Sequence, residues 1–263
     1  MQIKDIKIIF VDIDWTILNH KDGHNFDTYS LNTLIEAQKK GIKVFYCTAR
    51  PYYSVSQIGG FDLLKPDGVI SANGGVVQIG DKTIYKQGFP SEVLKQCCET
   101  ALKYSYNMLC STVDNCFMLL EKDEHFDNYL KVYYEPIPCV DTYKDKDVIS
   151  LILFAPERMD EIFKKELPAG INYFRYHESA VEILYQPHEK SEGVIETLKY
   201  YGFKKEQSIS FGDDYGDIAM FEASGIGVAV GNARDEVKKH ADYITLPVSE
   251  GGVGHALKKL GIV

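Results

Sequence analysis

Residues 6–13 read IKIIFVDI, a short and nearly unbroken run of branched apolar side chains. A run with no polar face to offer water fits a strand buried on both sides, as the central strands of a parallel sheet are. Two carboxylates stand at its end, Asp12 and Asp14. From Tyr29 to Lys40 the chain places Leu31, Leu34, Ile35 and Ala37 at helical spacing and stops at Gly41. A second apolar strand is expected over Ile42 to Tyr46, and a third begins at Val69 after the Pro66-Asp67-Gly68 turn. Strand, helix and strand of these lengths make a βαβ unit, so the predicted fold class is α/β: a Rossmann-like, doubly wound parallel sheet.

The rhythm changes after Asn73-Gly74-Gly75. Shorter strands are expected at Val76 to Ile79, Thr83 to Lys86, Cys116 to Leu120, Val148 to Phe154, Ile171 to Tyr176 and Ala180 to Leu184. Helices near Glu92 to Tyr104, Phe126 to Tyr134 and Glu157 to Glu166 separate them, an α+β pattern that points to an inserted domain. Alternation resumes with a helix over Ser191 to Tyr201, a strand over Ser208 to Phe211, a helix over Asp217 to Ala223 and a strand over Ile226 to Val230. A helix over Ala233 to His240 and a short strand at Tyr243 and Ile244 complete it. The predicted division is a core of 1–79 and 186–263, with an inserted α+β cap domain over 80–185.

A net charge of −9 argues against a general nucleic-acid binder, which would carry a basic face. No run approaches the ~18 apolar residues that would span a bilayer, so no membrane partner is expected either. A small anionic substrate fits better, because a few lysines and a cation reverse the field locally. The six cysteines include no Cys-x-x-Cys and are expected to be reduced and mostly buried in a cytoplasmic protein.

Ligands of open parallel sheets bind at the carboxyl ends of the strands. Those ends deliver Asp12, Asp14 and Thr16, then Thr48 and Arg50, then Ser71 and Asn73, and later Gly212, Asp213, Asp214 and Asp217. Lys190 stands before the resumed helix. Taken singly, each has a plainer explanation: Asp-x-Asp as turn chemistry, Thr48 as a cap, Lys190 as a solvated charge. Together, that many carboxylates in one crevice would repel each other unless a cation neutralised them, and all-oxygen ligation by Asp suits Mg²⁺.

These residues, in this order, resemble the haloacid dehalogenase superfamily of phosphohydrolases. FVDIDWTIL (Phe10 to Leu18), VFYCTAR (Val44 to Arg50), Lys190 and ISFGDDYGD (Ile209 to Asp217) carry the likeness. ISANGG and GVAVGNARDEVKKHADYIT extend it along the chain, and the insertion resembles the class IIB cap of the Cof-like subfamily. The resemblance implies a phosphatase of sugar phosphates or similar small phosphorylated metabolites, working as a monomer or homodimer. It assigns Asp12 as nucleophile and Asp14 as general acid and base, with Thr48, Lys190, Ala49 and Asn73 on the phosphate. Mg²⁺ would be held by Asp12, Asp14 and Asp213, with Asp217 and Thr16 behind them and Asp214 either there or a surface helix cap. A phosphomutase would share these residues, and a phosphate-binding regulator without turnover is the non-enzymatic alternative. Asp114, Asn115 and Glu182 are cap candidates for substrate contact. Three positions depart from the pattern: Trp15 and Ala49 stand where Gly is usual, and Gly216 where Asn is customary. Trp15 is either packed beneath the cap or a wall against the leaving group.

Overall fold

The computed structural model describes residues 5–21, 25–55, 58, 63–130, 137–186 and 189–263. The expected first strand is present as β1 (Ile8–Val11), buried throughout. In chain order the remaining strands are β2 (Leu18–Asn19), β3 (Asn25–Phe26), β4 (Lys43–Cys47), β5 (Gly68–Ser71), β6 (Val76–Ile79), β7 (Lys82–Lys86) and β8 (Asn107–Ser111). They continue with β9 (Cys116–Met118), β10 (Ser150–Phe154), β11 (Ile171–His177), β12 (Ala180–Tyr185), β13 (Ser208–Gly212), β14 (Ile226–Ala229) and β15 (Tyr243–Ile244).

The chain divides into two compact units: Met1–Arg50 with Val55–Lys86 and Glu189–Val263, and Pro51–Ser54 with Gln87–His188. The first holds an eight-stranded sheet in the order β15-β14-β13-β1-β4-β5-β6-β7. Neighbours from β15 to β5 run parallel. β6 and β7 then add an antiparallel edge, so residues 82–86, read from the sequence as part of the insertion, pair into the core sheet. From β1 the chain builds outward on one side through β4 and β5, then returns to lay β13 against the other side of β1. The strand order therefore reverses at β1, and such a switch point opens a crevice at the carboxyl ends of the strands.

In the second unit the sheet runs β11-β12-β10-β8-β9, all antiparallel. Its period-two alternation feeds two cores. Met108 and Cys110 pack with Leu94, Cys98 and Phe163 of the helices Ser91–Lys103 and Asp160–Glu166. Leu109, between them, faces Phe126 and Tyr129 of the helix Glu124–Leu130. The helix expected over 126–134 starts two residues earlier, and 131–134 lie outside the described residues. β8 was not foreseen. Its sequence NMLCS has no β-branched residue, and its Asn107 is accommodated by bonding Leu120 and Glu121 backbone groups. No disulfide joins the six cysteines among the described residues; five of them are buried and Cys139 is exposed.

Phe10 links the central strand to the helix beside it. Its ring lies 6.0 Å from that of Phe45, which meets Tyr201 edge-on at the same distance. Phe10 is fully buried, so Phe10→Ala should destabilise the first unit by about 3–5 kcal/mol. Urea denaturation should show a lower midpoint with an unchanged slope.

Candidate active site

Asp12 directly follows β1, and its backbone N–H donates to the Phe211 carbonyl at 2.9 Å, carrying the β1–β13 ladder one residue further. Its carboxylate accepts from Lys190 Nζ at 2.6 Å, and the same ammonium donates to Asp217 Oδ1 at 2.7 Å. All three side chains are buried. Lys190 is the first residue of the helix Lys190–Tyr201, where a cation meets the positive end of the helix dipole. Burial also disfavours the ammonium, yet the charges of Asp12 and Asp217 outweigh it and hold the Lys190 pKa well above its ordinary value.

The other oxygen of Asp217, Oδ2, accepts the backbone N–H groups of Asp213 at 2.8 Å and Asp214 at 3.0 Å. The chain can fold back this closely because residue 212 is glycine: a Cβ there would lie 2.3 Å from Asp217 Cγ. Asp213 Oδ1 accepts from the Thr16 hydroxyl at 2.8 Å. Asp12, Asp213 and Asp217 each bring a carboxylate oxygen within 4.8 Å of the others. Asp217 has both oxygens committed, whereas Asp12 Oδ2 and Asp213 Oδ2 accept no hydrogen bond among the described residues. Burial, then the Asp217 charge, pushes the Asp213 carboxyl up to about 7 against the Thr16 bond and Lys190. Asp12 is raised well above the carboxylate range, chiefly by burial, despite Lys190. This all-oxygen donor set with surplus negative charge could hold a hard divalent cation.

Asp14 has a different environment. Arg50 grips it with a two-pronged fork, Nε to Oδ2 and Nη2 to Oδ1, both at 2.8 Å, and His20 Nε2 lies 2.7 Å from Oδ1. Burial would raise this carboxyl, but the bonds from His20 and Arg50 and the Arg50 charge prevail and hold it far below the ordinary range. The sequence offered Arg50 without a role and gave no sign of His20, which lies just beyond β2.

Thr48 is buried at the end of β4, its N–H bonded to the Ile70 carbonyl and its Oγ1 accepting from Arg50 N at 3.1 Å. Ala49 beside it is exposed. Asn73 donates its N–H to the Thr48 carbonyl, and the next residue needs to be glycine. Gly74 has φ +91°, and a Cβ there would stand 2.0 Å from the Glu189 carbonyl, so the loop after β5 abuts the backbone that leads into Lys190. A Cβ at Gly216 would lie 3.8 Å from Asn73 Oδ1. Asp214, expected behind the metal ligands, turns its carboxylate to Arg234 at 2.6 Å, both half exposed. Its backbone, not its side chain, reaches the buried cluster: its N–H donates to Asp217 Oδ2 and its carbonyl accepts the Asp217 N–H. In the second unit Asp114 and Asn115 lie in an exposed turn, and Glu182 is half-buried in mid-strand opposite Ile152 and Phe174.

The sequence pattern of the haloacid dehalogenase-like hydrolases matches residues 9–257. The chain belongs to that family. It is 28% identical over 265 residues to the 5-amino-6-(5-phospho-D-ribitylamino)uracil phosphatase YitU of Bacillus subtilis, covering 96% of each chain. It is also 27% identical to the phosphoglycolate phosphatase of Sulfolobus acidocaldarius, over 97% of this chain and 96% of that one. Among solved structures, a hypothetical protein of Geobacillus kaustophilus superposes with a TM-score of 0.91 at 27% identity, over 98% of this chain and all of the other. The subclass IIB sugar phosphatase BT4131 does so at 0.81 and 28% identity, over 98% of this chain and 100% of its own. The likeness to this superfamily read from the motifs therefore holds, as does the enzyme class, a hydrolase of phosphoric monoesters.

Because the Asp213 pKa rises from its ordinary 3.8 to about 7 in the fold, the folded chain keeps a proton there that the unfolded chain releases. Without a cation, stability should fall as pH climbs through that window. A divalent cation bound at this cluster would replace the proton, so Mg²⁺ should raise Tm more at about pH 7.5 than at about pH 5. Equal or reversed shifts in a thermal melt would contradict this reading of the carboxylate cluster.

Proposed function

We propose that this protein is a Mg²⁺-dependent phosphatase of small phosphomonoesters, sugar phosphates or similar metabolites, acting through an aspartyl-phosphate on Asp12. The observation that carries the reading is the buried Lys190 bridge between Asp12 and Asp217, with Asp213 alongside. The bridge leaves Asp12 Oδ2 as the oxygen to attack phosphorus. Lys190 and Thr48, with Ala49 and Asn73 beside them, hold the phosphoryl oxygens and stabilise the charge that develops on them. Asp12, Asp213 and the Asp14 carbonyl would hold Mg²⁺, which when bound would supply Lewis acidity and neutralise the carboxylates. Thr16 orients Asp213, and Asp217 orients Lys190.

Asp14 serves both halves of the reaction, giving a proton to the leaving oxygen and later taking one from the attacking water. The Arg50 and His20 clamp keeps it in the base form that the second half uses. The first half requires that clamp to loosen as the leaving oxygen arrives, so that the carboxyl can carry a proton. The named activities of the relatives, all on small phosphorylated compounds, support the substrate class. The second unit takes the substrate-selecting cap role that the family resemblance implies. Six cysteines with no disulfide among the described residues support a cytoplasmic setting, and no described helix is long and apolar enough to cross a membrane.

A panel of phosphate esters assayed for inorganic phosphate with Mg²⁺ tests the proposal. Asp12→Asn should lower kcat by more than about a thousandfold, since an amide is no nucleophile. Substantial residual turnover would sink the covalent route. EDTA should silence the enzyme and Mg²⁺ restore it, and indifference to both would refute the metal assignment.

A further inference from the structure

We propose that Trp15 and His20 form a leaving-group subsite, one that favours phosphomonoesters whose leaving group presents a ring with a flat apolar face near the ester oxygen. The inference rests on the reading of Asp14 as the group that meets the leaving oxygen.

Its starting point is backbone strain. Trp15 has φ 61°, in the left-handed region that a residue with a bulky side chain adopts only at a cost. Such a conformation persists where its surroundings over-determine it, and here they do. Trp15 N–H donates to the Leu18 carbonyl at 2.8 Å, and the Trp15 carbonyl accepts from Asn232 Nδ2 at 2.8 Å. Asn232 is itself held by the Val248 N–H on its Oδ1. Glycine would take this backbone without penalty, so the indole is kept against a conformational disadvantage.

Core packing does not explain it. Trp15 is 38% exposed, against complete burial of Ile13 and Ile17 on either side. What the indole touches is His20, ring centroids 5.1 Å apart and tilted by 56°. His20 Nε2 in turn lies 2.7 Å from Asp14 Oδ1. An ester oxygen that reaches the Asp14 carboxyl therefore brings its substituent alongside two rings, both partly open to solvent. A ring-bearing substituent gains contact area and favourable ring geometry there, whereas a short acyclic one gains little.

Binding of two unreactive phosphonates tests this directly: benzylphosphonate and propylphosphonate, measured by calorimetry on the Mg²⁺-loaded full chain. The wild type should bind the benzyl compound roughly threefold to tenfold more tightly. As the chain has a single Trp, indole emission should change on adding benzylphosphonate and stay nearly constant with propylphosphonate. Trp15→Gly, which suits the left-handed backbone, should bring the affinity ratio close to one, and Trp15→Phe should leave it in between. A Trp15→Gly protein that keeps the wild-type ratio, or an emission indifferent to bound benzylphosphonate, would overturn the subsite. Neither measurement needs turnover. Selective binding without phosphate release would therefore support the subsite while removing the phosphatase reading, and an active phosphatase with an unchanged ratio would do the opposite.

Discussion

The ammonium of Lys190 is the interaction on which the arrangement of the site depends. Asp12 leaves β1 and Asp217 lies just beyond β13, and one buried cation holds both within 2.7 Å. Without it, buried carboxylates would face each other unpaired, a situation that costs several kcal/mol when one partner of such a pair is removed. The backbone is shaped to deliver that cation. Gly74 lets the loop after β5 abut the Glu189 carbonyl, and Gly212 leaves room for Asp217 to fold back over its own strand end. The unfavourable placement of a lysine at a helix N-terminus is offset by the two charges it meets.

Two carboxylates two residues apart thus receive opposite treatment. Asp12 is buried among other acids and pushed up, with one oxygen uncommitted; Asp14 is clamped by a guanidinium and an imidazole and pushed down. Environments that drive neighbouring titratable groups apart divide chemical roles between them. In the proposed mechanism the division falls between Asp12 as nucleophile and Asp14 as proton carrier.

Much of this was legible from residue order. A buried β1 ending in Asp12 and Asp14, with Thr48, Asp213 and Lys190 at later strand and helix boundaries, follows from the rule that parallel strands present their carboxyl ends to ligands. What escaped was decided by long-range packing. The Arg50 fork spans 36 positions to Asp14, and no local period announces it. β7 reads like any short strand, and only its pairing with β6 assigns it to the core sheet. Asp214 leaves two readings open in sequence, and its outward turn to Arg234 decides between them, while Asp217 turns inward to Lys190. Trp15 is visible as an anomaly in sequence, while its positive φ and its contact with His20 are not.

Rapid-quench mass spectrometry tests the central claim most directly. Asp14→Asn protein, given Mg²⁺ and a phosphomonoester whose leaving group departs without a proton, such as p-nitrophenyl phosphate, should accumulate a phosphoryl group on the peptide that contains Asp12, because attack then proceeds without the general acid while release to water is crippled. Phosphate release with no modified peptide at any quench time, or a phosphoryl group on a residue other than Asp12, would contradict the account.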